Sequence, residues 1–66
     1  MEMIRVRSFA ILEVGYDPLT QRMKIKFVEG HTYDFCRVPL HIFQGLLDAR
    51  SKGTYYNLRI KDRYHC

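Results

Sequence analysis

The sequence predicts an α+β domain, a three-stranded antiparallel β-meander followed by two short α-helices packed on one face. Three observations carry that prediction. Residues 22–28, RMKIKFV, begin by alternating strictly between cationic and apolar side chains, the period of a half-buried strand. Turn-forming residues bracket them, DPLTQ before and EG after. Beyond Pro39, the residues Ile42, Phe43, Leu46 and Leu47 recur at helical spacing and form one apolar stripe.

The first strand is read at 10–16, AILEVGY, a run rich in β-formers. Asp17 and Pro18 then suit the first two positions of a type I turn. The second strand puts Met23, Ile25 and Phe27 on the core face and Arg22, Lys24 and Lys26 on the other. HTYDFCRV at 31–38 is the third strand, and the Glu29–Gly30 turn sets its register. A two-residue turn pairs Val28 with His31 and places Tyr33 and Phe35 on the basic outer face. A three-residue turn bulged at Gly30 pairs Phe27 with His31 and Ile25 with Tyr33, and it turns both aromatics inward. A slip of one residue flips the whole strand. The first register sets Asp34 beside Ile25 on the core face, where a carboxylate is costly. The bulged turn is therefore favoured, and Tyr33 and Phe35 are read as core residues.

Pro39 suits the first position of the first helix. Gly45 inside it costs about 1 kcal/mol relative to Ala and is read as allowing a close helix–strand approach. Ser51 offers an N-cap for the second helix, with Gly53 in its first turn. Tyr56 and Ile60, four apart, are expected to dock on the core. Lys52, Tyr55, Arg59 and Arg63 are expected to face solvent.

Sixty-six residues, 1–66, make one domain. A chain this short buries only about 60% of the surface its unfolded form exposes. Hydrophobic content of 47% and charged content of 27% are ordinary for a globular protein. No apolar run reaches the roughly 18–20 residues of a membrane span. The start, MEMIRVRSFAILEVGY, lacks a signal-peptide cleavage site, and Glu13 interrupts its apolar stretch. A cytoplasmic protein with no membrane partner is expected. Cys36 and Cys66 are too few for a disulfide framework and are expected to be free thiols in a reducing compartment. Cys36, His65 and Cys66 lack the paired spacing of zinc ligands, so no metal and no cofactor are expected.

Charge points to a partner class. The chain carries a net charge of +4, and residues 1–49 balance six basic against six acidic residues. The excess lies in the closing segment, where Arg50, Lys52, Arg59, Lys61 and Arg63 face only Asp62. Such asymmetry is the electrostatic footprint of a polyanion partner. Tyr55, Tyr56 and Tyr64 lie among these cations, and single-stranded RNA is gripped by base-stacking aromatics set between phosphate-binding cations. Tyr56 is assigned to the core, which leaves Tyr55 and Tyr64 for stacking. Arg22, Lys24 and Lys26 make a second basic row on the outer sheet face. Ser51-Lys52-Gly53 is not a P-loop, because GxxxxGK[ST] is absent, but a helix start there presents backbone donors to an anion. A plain helix cap is the simpler reading of the same three residues.

Catalysis has little support. Neither Ser8 nor Ser51 belongs to a legible Ser–His–Asp motif, and no histidine is placed to activate Cys36. No catalytic residue is assigned. The residues thus point to a non-catalytic module that binds RNA (tRNA or single-stranded) or another phosphate-bearing ligand. The competing class is a protein-interaction module, a homodimer or an accessory to a larger protein, whose edge strands pair between chains.

These residues resemble the KTSC domain, a small module named for its occurrence at the C-terminus of some lysyl-tRNA synthetases and also found free-standing in bacteria and phages. The resemblance spans Ser8 to Tyr64. It is carried by VGYDPLTQRMKIKF in the first hairpin, EGHTYDFCRVP in the third strand, and SKGTYYN with Ile60 near the end. The family's central Tyr-x-Tyr stands here as Tyr33-Asp34-Phe35, a change that suits packing. RNA binding is what the synthetase association implies, by analogy of fold.

Overall fold

The computed structural model describes all residues, Met1–Cys66. The fold is α+β, with one more strand than the sequence predicts. The strands are β1 (Met3–Arg5), β2 (Ile11–Asp17), β3 (Arg22–Phe27) and β4 (Thr32–Phe35), followed by α1 (Leu40–Asp48) and α2 (Lys52–Arg59). All four strands form one antiparallel sheet in the order β1-β2-β3-β4. Three residues are too few to show a period, which is why β1 escapes a sequence reading. Its place depends on Gly15, where an added Cβ would lie 2.7 Å from Met3 Sδ and 3.0 Å from Met1 Cγ.

Asp17 and Arg22 close the first hairpin. Its loop is tied by the Gln21 N–H donating to the Asp17 carbonyl at 2.8 Å and the Leu19 N–H donating to Asp17 Oδ1 at 3.0 Å. The second hairpin takes the bulged turn. Phe27 N–H donates to the His31 carbonyl, Gly30 has φ +112°, and Ile25 pairs with Tyr33. That φ lies where only glycine is unstrained. Asp34 therefore stands on the outer face, 3.8 Å from Lys24 Nζ.

The core lies between the sheet and the helices. It comprises Ile11, Val14, Met23, Ile25, Phe35, Val38, Ile42, Phe43, Leu46 and Ile60, and no buried side-chain polar atom lacks a partner. Phe35 is buried as expected. Tyr33 shares its face but remains half-exposed.

Four expectations need correction. Pro39 is the N-cap of α1, not its first helical residue. Tyr55 does not face solvent. Its ring lies over Gly45, where an added Cβ would collide with the Tyr55 hydroxyl, and that hydroxyl donates to the Ile42 carbonyl at 2.9 Å. Gly45 thus serves a helix–helix contact, not a helix–strand one. Finally, Cys36 and Cys66 are joined in a disulfide, with Cα atoms 4.8 Å apart. Compartment arguments do not register what the fold does. Cys36 N–H donates to the Tyr64 carbonyl at 3.0 Å, so the last residues run alongside the end of β4 and bring Cys66 into bonding range.

Candidate phosphate-binding cleft

Two short segments distant in sequence, Arg7–Ala10 and Arg50–Gly53, line a cleft of about 560 Å³. The first leads into β2, and the second joins α1 to α2. Ser8 fixes the first wall, its Oγ accepting the Ala10 and Ile11 amides at 3.0 and 3.1 Å. This turn leaves the neighbouring Phe9 fully exposed. The walls close on each other at Gly53, where an added Cβ would sit 3.2 Å from Ala10 Cβ.

The second wall is a helix start. Ser51 caps α2 by accepting the Thr54 amide at 3.3 Å, and its carbonyl accepts the Tyr55 amide. The Lys52 and Gly53 amides donate to no protein group. They are the first-turn donors that a helix leaves open. Lys52 Nζ folds back to donate to the Leu47 and Ala49 carbonyls at 3.1 and 2.9 Å, closing the end of α1. Its charge stays at the cleft while its donors are largely spent. Arg7 and Arg50 are exposed, and no carboxylate lines the cleft. Three cations, free amides at a helix N-terminus and a solvent-facing aromatic ring are the components of a site for an anion attached to a planar group.

The candidates read from the sequence distribute as follows. Arg50 and Lys52 lie in the cleft. Arg59, Lys61 and Arg63 are exposed at the far end of α2, about 12 Å away along an eight-residue helix. Tyr55 is packed on α1. Tyr64 is half-buried against the core. Arg22, Lys24 and Lys26 project from the sheet face opposite the helices, so they do not join the closing segment. Each also stands near an acid: Asp17 opposite Arg22, Asp34 by Lys24, and Glu13 opposite Lys26. That row is a nearly compensated ladder. Arg7 and Phe9 were not singled out from the sequence. The available signal was a cation and an aromatic residue flanking Ser8 in a stretch assigned to no element.

Burial pushes the Tyr55 phenol above the usual tyrosine value, with Arg59 pulling it back and Tyr64 adding to the rise. Tyr56 is raised in the same way by burial, then by Asp62 and Tyr33. Neither phenol ionises near neutral pH. Both serine hydroxyls are engaged with backbone amides.

Comparison with known proteins decides the family. The chain matches the KTSC domain over residues 7–64. It belongs to the KTSC domain family. A crystal structure of a KTSC domain protein from Yersinia pestis superposes with a TM-score of 0.92 at 35% identity, covering 96% of this chain and 89% of that one. A protein of Tsukamurella paurometabola is 41% identical over 59 residues, 89% of this chain and 88% of the relative. A lysine–tRNA ligase of Nostoc sp. is 37% identical over 49 residues, which are 74% of this KTSC domain but only 9% of that enzyme. No helix in the domain is long and apolar enough to cross a membrane.

Proposed function

We propose that this KTSC domain is a non-catalytic RNA-binding module whose cleft between Arg7–Ala10 and Arg50–Gly53 holds backbone phosphate. The observation that carries the reading is the convergence of Arg7, Arg50 and Lys52 with the open amides of α2 in one cleft that has no acidic lining. Phe9, exposed at the same place, supplies a stacking surface worth about 1–3 kcal/mol per base. The sequence match to a segment of a lysine–tRNA ligase supports a role near tRNA. The competing reading, self-association through a sheet edge, has less to rest on. The edges are β1 and β4, of three and four residues.

The test is a fluorescence-anisotropy titration of single-stranded RNA, duplex RNA and tRNA at low and physiological salt. Saturable binding is expected, with log K falling against log salt at a slope of about −2 if some three phosphates are held. The Arg7→Ala/Arg50→Ala variant is expected to bind at least about tenfold more weakly, equivalent to about 1.4 kcal/mol. Absence of binding even at low salt, or unchanged binding by the variant, defeats the reading.

A further inference from the structure

A second cavity, of about 280 Å³, adjoins the cleft and shares Ala10 with it. Its other lining residues are Phe27, Glu29, Tyr33, Tyr56 and Lys61. Phe27 forms the base. Tyr33 and Tyr56 both stand edge-on to it, with centroids 5.5 and 5.0 Å from it and planes at 77° and 76°. Phe35 steadies Tyr56 from behind at 6.1 Å. Tyr33 is half-exposed and Phe27 and Tyr56 are only partly buried, so three ring surfaces remain open at one corner of the molecule.

Exposed aromatic surface is expensive to keep in water, and here it sits directly beside a cationic cleft. We infer that this second cavity is a nucleobase slot, and that it and the cleft form a single track for one strand of RNA across Ala10. The inference rests on the reading of the cleft as a phosphate site. A base entering between Tyr33 and Tyr56 stacks on a tyrosine ring and turns its own edge to the face of Phe27. At the mouth, Lys61 supplies a cation for the adjoining phosphate. Glu29 supplies a carboxylate acceptor for a base amino group; the same Oε1 is 2.9 Å from His31 Nδ1, and a carboxylate has room for further donors. Lys61 thereby acquires a place in the site that its position at the end of α2 does not suggest by itself.

Two labelled decamers separate the slot from the cleft: an oligocytidine RNA and an abasic phosphodiester chain of equal length. Tyr33→Ala is expected to weaken oligocytidine binding about tenfold and to leave the abasic chain unaffected. Tyr33→Phe, which keeps the ring, is expected to bind as wild type does. Arg7→Ala/Arg50→Ala is expected to weaken both ligands. If Tyr33→Ala binds oligocytidine like wild type, or weakens the two ligands equally, the slot is wrong while the cleft stands. If wild type binds neither decamer, both fail. A phosphate-free probe gives an independent reading: cytidine is expected to shift the ring resonances of Phe27, Tyr33 and Tyr56, and unmoved rings at saturating nucleoside overturn the slot.

Discussion

Gly45 and Tyr55 set how closely the two helices approach. A methyl group at position 45 meets the Tyr55 hydroxyl and ring carbons at 2.8 and 3.0 Å, and moving the ring breaks its hydrogen bond to Ile42. Alanine improves helix propensity by about 1 kcal/mol, but overpacking costs about 1–3 kcal/mol and the lost hydrogen bond about 1 kcal/mol more. Gly45→Ala is therefore expected to destabilise the domain by about 1–3 kcal/mol in urea unfolding. Its cost is expected to shrink in a Tyr55→Phe background, where the nearest clashing atom is gone. Equal cost in both backgrounds would contradict this account. Residue-scale reading of the sequence worked where one side chain settled the matter by itself, as Ser51 did at its cap. It failed for Arg7, Phe9 and Tyr55, whose exposure depends on which element comes to lie beside them.

At the scale of elements, the register of β4 was legible because only one alternative keeps Asp34 out of the core. The strand β1 was not legible, since its pairing depends on Gly15 rather than on any pattern of its own. The helix α2 shows the limit of a single apolar stripe. It packs on two neighbours, turning Tyr56 and Ile60 to the sheet and Tyr55 to α1, so a stripe at i and i+4 describes only half of its burial. Both phenols with raised pKa lie on this helix. Because the folded values are raised, the unfolded chain ionises first as pH passes about 10. The stability linked to these groups is fully present below that pH and is lost as pH climbs through the folded values. Melting temperature followed by circular dichroism is expected to show no pH dependence from these phenols near neutrality and to fall beyond about pH 10. The fall should be shallower in Tyr55→Phe. An equally steep fall in that variant would assign the effect to other groups.

For the whole molecule, the disulfide is a large share of a small total. A domain of this length has on the order of 3–10 kcal/mol of stability. Closing a loop over a sequence separation of 30 residues contributes about 3–4 kcal/mol by chain entropy. Full reduction, verified by thiol counting, is expected to lower the melting temperature by about 20 °C, and Cys36→Ser should do the same. An unchanged melting temperature would show that Tyr64 and the tail hold their place without the bond. Composition and compartment argued for free thiols, and only the three-dimensional path of residues 60–66 brings the two sulfurs together.

That bond also decides how the molecule would yield to a mechanical load. Tension applied at Met1 and Cys66 enters the sheet from one side and crosses directly to Cys36 on the other. Both helices and the cleft-forming segment Arg50–Gly53 lie inside the closed loop and carry none of the pull. The strands peel, and extension stops near residue 36, at roughly 120–130 Å for about 3.5 Å per residue. Reduction releases the remaining chain and nearly doubles that reach. Oxidation state thus fixes how far this domain can be stretched.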